Sequence, residues 1–148
     1  MANSTQYAKT VAASPSKIST TELHGRVRVA YADFTSAAAQ ETINMFKLPD
    51  GARIIGGRLN HAALGSSTTV SVGHAAYTQA DGTAVAADVD EYKAAASSAS
   101  STGSAVASTT ALGENSLVDA PDGLIVTATT AGANATGLIT VQMTYVLD

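Results

Sequence analysis

ETINMFKLPDGARIIGGRL, residues 41–59, joins two apolar runs through Pro49-Asp50-Gly51 and places a pair of glycines inside the second run. Ile43 to Leu48 is apolar on both faces apart from Asn44 and Lys47, the pattern of a strand that is covered on both sides. Pro49 presets φ at the second position of a turn, Asp50 tolerates the third and can bond back to the backbone, and Gly51 takes the left-handed position that follows. The chain must reverse or bend sharply there. Ala52 to Leu59 resumes as a strand, and Gly56-Gly57 in its interior marks a bulge or bend where a sheet curls. The stretch reads as a corner of a curved sheet, a stiff piece of scaffold.

Upstream, Val27, Val29 and Tyr31 alternate with Arg26, Arg28 and Ala30, as expected of a strand with one buried face. Downstream, Thr68 to Val72 is a β-branched run, and Asp81-Gly82 is a turn signal. Residues 84–96 break this rhythm. Val85, Val89, Tyr92 and Ala96 fall at helical spacing, with Asp88, Asp90 and Glu91 towards the amino end, so one short amphipathic helix is expected. The Ser/Thr-rich segment 97–110 reads as a loop running into an edge strand. Ala120-Pro121-Asp122-Gly123 repeats the Pro-Asp-Gly device before a strand at Leu124 to Thr127. The clearest period of two comes last: Ile139, Val141, Met143, Tyr145 and Leu147 alternate with Leu138, Thr140, Gln142, Thr144 and Val146. Seven or eight short strands and one inserted helix predict an all-β fold, a jelly-roll-like antiparallel β-sandwich over residues 24–148. Residues 1–23 are polar, carry Pro15 and lack either period, so they are expected to form an extended N-terminal arm.

The chain has 148 residues, the size of one ordinary domain, and no cysteine, so neither a disulfide framework nor a thiolate site is available to it. Its formal charge of −4, with the eight Lys and Arg scattered along the sequence, predicts no nucleic-acid partner. No run of 18 apolar residues and no signal-type apolar segment occurs, so no membrane partner is expected. Charged residues make up only 14%, which favours a surface covered by other subunits over a free monomer.

The chemistry-bearing residues form no recognisable site. His24, His61 and His74 lack the H-x-H pair and nearby carboxylate of a jelly-roll metal site. The many serines include no G-x-S-x-G elbow, and the glycines match no phosphate cradle. Asp33, Glu41, Asp50, Asp81, Asp119 and Asp122 sit at strand ends or turns, where aspartate is ordinary turn chemistry. No catalytic, cofactor-binding or metal-ligating residue is assigned, and no enzyme activity is expected.

GRVRVAYADFT, followed by INMFKLPDGARIIGGRL and TTVSVGHAAY, resembles the small head-decoration or cement proteins of tailed bacteriophages, over about residues 23–74. In that family an INMFKLPKGA-like stretch joins two strands of a jelly roll, and the protein binds the outside of the major capsid shell as dimers or trimers. The resemblance implies a non-enzymatic virion protein, made in the host cytoplasm and placed on the outer capsid surface, whose partners are the major capsid protein and further copies of itself. Asp50 departs from the family pattern, in which a basic or neutral residue is expected. Charge and exposure single out Tyr7, Lys9, Lys17, Arg26 and Arg28 as possible capsid or subunit contacts. The alternative is a receptor- or glycan-binding head-fibre or tail module, with recognition carried by loops such as residues 97–116.

Overall fold

The computed structural model describes residues 26–37 and 40–147. The expected arm, with Tyr7, Lys9 and Lys17, lies outside the described residues. Among the described residues are ten strands: β1 (Arg26–Ser36), β2 (Thr42–Leu48), β3 (Arg53–His61), β4 (Thr68–His74), β5 (Tyr77–Thr78), β6 (Ala84–Val85), β7 (Asp88–Ser97), β8 (Thr102–Val106), β9 (Leu124–Gly132) and β10 (Gly137–Leu147). A 3-10 turn at Thr110–Leu112 is the one helical element among the described residues.

The eight longer strands form two four-stranded sheets, in the orders β1-β10-β3-β8 and β2-β9-β4-β7, with all their pairs antiparallel. The pairings β1 with β10, β2 with β9, β3 with β8 and β4 with β7 are nested. The chain is thus one long antiparallel ribbon wound up on itself, and the β5-β6 hairpin sits at its tip. At that tip the Asp81 carboxylate accepts the Thr83 N–H (2.8 Å), the turn chemistry expected of Asp81-Gly82. Ribbon winding of this kind is what makes a jelly roll.

Strands β2 and β3 lie in different sheets, so the Pro49-Asp50-Gly51 turn carries the chain from one layer of the sandwich to the other. The expected corner is a corner between sheets. Gly51 adopts the left-handed backbone (φ +75°) that the turn requires. The expected bulge is present: the register of β10 against β3 shifts between Thr144 and Tyr145, opposite Gly56 and Ile54. Gly57 is needed for a separate reason, because a Cβ there would collide with the carbonyl oxygen of Gln142 and lie 3.2 Å from Met143 Cα.

The core fills the space between the sheets with Leu48, Ile54, Leu59, Val70, Val72, Val106, Val126, Ile139, Val141 and Met143, all essentially inaccessible. Strand β10 decides the face it presents. Its Ile139, Val141 and Met143 are buried as the alternation requires, and β10 is paired on both sides.

Two expectations are corrected. Residues 84–96 form no helix; they make β6 and most of β7, which pairs with β4. Of the supposed helical face, Tyr92 is buried and Val89 is exposed. Val85 and Val89 are β-branched, the Asp88 side chain accepts the Asp90 N–H (3.0 Å) and so competes with helical bonding, and β4 leaves an edge whose backbone groups need a partner. The long-range pairing outweighs the weak helical periodicity.

The second correction concerns β1. Val27, Val29 and Tyr31 face outward, while Ala30, Ala32 and Phe34 pair with Met143, Val141 and Ile139 on the core side. Directly paired residues share a face, so the phase of β1 is set by the heavier buried side of β10.

Candidate interaction surface

The described residues contain no group of three His, Asp or Glu side chains able to hold a metal. His61 lies in one sheet and His74 in the other, both buried. Each ring's Nδ1 meets the carbonyl of the next residue, at 2.8 Å for His61 and 2.9 Å for His74, so that nitrogen is the donor. His74 also packs edge-on against Tyr77, with ring centroids 5.3 Å apart. These are satisfied core groups. His24 lies outside the described residues.

The uncommon feature is the outer face of the β1-β10-β3-β8 sheet. Reading across the registers, one row is Val27–Val146–Arg53–Leu117, the last joined to Arg53 by an isolated bridge. The next rows are Val29–Thr144–Gly56, Tyr31–Gln142–Arg58–Ala105 and Asp33–Thr140–Asn60–Gly103, followed by Thr35 beside Leu138. Val27 (65% exposed), Val29 (56%), Tyr31 (58%), Leu117 (53%) and Leu138 (46%) put large apolar side chains in water on this one face. Val146 is buried there, apart from the main core cluster.

The charges on this sheet are mostly of one sign. All four arginines of the chain, Arg26, Arg28, Arg53 and Arg58, lie on β1 and β3, and Asp33 is the single acid on the sheet's four strands. Cations that look scattered in sequence are gathered by the pairing of β1 and β3 with β10. Arg53 and Arg58 share the outer face; Arg26 and Arg28 are exposed on the other side of β1, paired with Leu147 and Tyr145. Asp33 accepts the hydroxyls of Tyr31 (2.5 Å) and Thr140 (2.7 Å). The Tyr31 bond holds the Asp33 carboxyl below its ordinary value and raises the Tyr31 phenol. One end of an exposed aromatic ring is thereby tethered to the sheet. An open face with arginines and a restrained tyrosine among apolar side chains has the composition of an interface centre.

Of the contacts expected from sequence, Arg26 and Arg28 border this face, and Tyr7, Lys9 and Lys17 lie outside the described residues. Sequence reasoning missed Arg53, Arg58, Leu117 and Leu138. Their common face is a product of long-range register, and the local pattern of each carries no signal of it.

At one end of the sandwich the two Pro-Asp-Gly turns meet. Asp50 Oδ1 accepts the Ala120 N–H (2.8 Å), Gly51 N–H donates to the Val118 carbonyl (2.9 Å), and Lys47, Pro49, Asp50, Pro121 and Asp122 line a shallow cleft of about 350 Å³. Asp50 therefore has a structural partner in the second turn. Asp50→Ala is expected to lower unfolding free energy by about 1 kcal/mol, and Asp50→Asn, which keeps an acceptor, by less; urea titration measures both.

The architecture is that of an eight-stranded jelly roll. Neither a family model nor a curated protein sequence matches the chain. Among solved structures, it is similar to a chain of the Ralstonia phage GP4 capsid (TM-score 0.63, 20% identity, covering 84% of this chain and 86% of that one). It is similar to the same extent to a chain of the Cyanophage Pam1 capsid asymmetric unit (0.62, 20%, 84% and 86%). A chain from the acid-stable capsid of Helicobacter pylori bacteriophage KHP30 is also similar (0.56, 20%, 82% and 87%). At this identity the likeness is one of fold.

Proposed function

We propose that this chain is a structural, non-enzymatic virion protein that binds the outer surface of a phage capsid and stabilises the shell by bridging neighbouring capsid subunits. Its partners in this reading are the major capsid protein and further copies of itself. The observation that carries the proposal is the open outer face of the β1-β10-β3-β8 sheet, apolar and arginine-bearing, on a fold similar to chains from three phage capsid structures. On a chain of net charge −4, a face holding Arg53 and Arg58 against one acid suits an acidic partner surface.

Four strands about 4.8 Å apart and about 30 Å long present roughly 600 Å². This is of the order of one partner's share of a standard interface, about 800 Å². Repetition over a shell converts such modest contacts into high avidity. The adhesion alternative would place recognition on loops such as residues 97–116; that segment holds the end of β7, the edge strand β8 and the 3-10 turn, joined by short loops.

Co-sedimentation with tailed-phage shells stripped of decoration tests the proposal. Saturation at a fixed ratio to capsid protein, together with a more heat-resistant shell, is expected; absence of binding overturns it and sends the protein to host-surface glycans. A variant lacking residues 1–22 should keep the fold and bind shells more weakly, by about tenfold or more if the arm supplies a second point of attachment. Undiminished binding would assign the whole contact to the sheet.

A further inference from the structure

We infer that the edge of β1, which no other described strand pairs with, joins the β1 edge of a second copy, antiparallel across a two-fold axis at Val29, to make one continuous eight-stranded sheet. The inference names the partner surface for the self-association proposed above, but it does not require the shell.

Among the described residues the sandwich has four sheet edges, and three carry recognised protection against pairing. Strand β8 is short, at five residues. Strand β2 has a register shift between Asn44 and Phe46. Strand β7 has two shifts, and the Asp88 side chain already occupies the Asp90 N–H. Strand β1 differs. It runs eleven residues, holds an unbroken register against β10, contains no proline, and exposes Val27, Val29 and Tyr31 along one side. A long, regular, apolar edge is a template for another strand.

The sequence of β1 is complementary to itself in one antiparallel register. A two-fold axis perpendicular to the sheet keeps outward residues outward, so outward residues must oppose one another. With Val29 opposite the second copy's Val29, each Val27 faces a Tyr31, giving aromatic–β-branched pairs on both sides of a valine pair. On the other side of the strand, Arg28 faces Ala30 and Arg26 faces Ala32, so neither arginine directly opposes a like charge and each has a small neighbour to lie across. Shifting the axis to Ala30 sets Val27 against Asp33, and shifting it to Tyr31 sets Val29 against Asp33. Joining the sheets doubles the outer face to about 1,200 Å², above one partner's share of a standard interface, about 800 Å².

The absence of cysteine from the chain makes the test direct. In the full-length protein, Val29→Cys puts two thiols about 5 Å apart between Cα atoms, within disulfide reach, whereas the two thiols of Thr35→Cys are about 40 Å apart. Light scattering of the unmodified protein should give a dimer. Val29→Cys should oxidise in air to a covalent dimer while Thr35→Cys stays unlinked, and Val29→Lys should raise the dimer dissociation constant at least about tenfold with an unchanged far-ultraviolet spectrum. A monomer or trimer in solution, equal linkage at both positions, or linkage seen only after removal of residues 1–22 overturns the inference, the last because the chain's own arm would then be the occupant. A dimer that fails to bind shells refutes the shell reading and leaves this one standing.

Discussion

Combining Tyr31→Ala with Arg58→Glu is expected to weaken the proposed shell binding by about a hundredfold, read as the concentration needed for half-saturation in co-sedimentation. Both side chains stand in one row of the outer sheet face, on either side of Gln142. Tyrosine and arginine are the residue types that most often dominate an interface, and reversal of the arginine adds repulsion from an acidic partner. Both are exposed, and neither belongs to the core cluster, so the melting temperature should move by no more than a few degrees. A variant that binds shells like the parent removes this face from the contact and leaves the loops or the arm to account for it.

Gly57→Ala is expected to destabilise the protein by about 3 kcal/mol, at the upper end for overpacking, and to lower the melting temperature by roughly 10 °C. The added methyl meets backbone, the carbonyl of Gln142 and the Cα of Met143, in the middle of a sheet where neither can retreat without breaking the β3-β10 ladder. Gly103→Ala is the informative comparison. A methyl there also meets close neighbours, but they are the side-chain ends of Asn60 and Arg58, the latter 2.7 Å away at Nη2, and both can swing aside. Its cost should stay below about 1 kcal/mol. Equal losses at the two sites would show that strand propensity, not close approach, sets the need for glycine at 57.

Much of the scaffold was legible because its signals are local. The Pro49-Asp50-Gly51 turn, the bulge at Gly56-Gly57 and the alternation of Ile139, Val141 and Met143 each depend on a few neighbouring residues, and each appears in the fold. The misread helix shows where local signals fail. Four weakly apolar positions at helical spacing were outweighed by the need of β4 for a partner, a need expressed only once β4 and β7 meet. The inverted face of β1 has the same origin: the local pattern of RVRVAY favours burying Val27, Val29 and Tyr31, and register against β10 overrides it.

The candidate surface was still less legible. Arg26 and Arg28 stood out as exposed cations, yet Arg53, Arg58 and Leu117 gain meaning only as members of rows that cross three or four strands. By itself the sequence determined the all-β class, the positions of the turns and the absence of any recognisable catalytic motif, because turn residues and period-two alternation act over a few bonds. Only the tertiary structure decided which sheet each strand joins, which side of β1 meets water and where the four arginines gather, because these follow from pairings between residues as distant as Arg26 and Leu147, and such pairings are settled by the burial of the whole core.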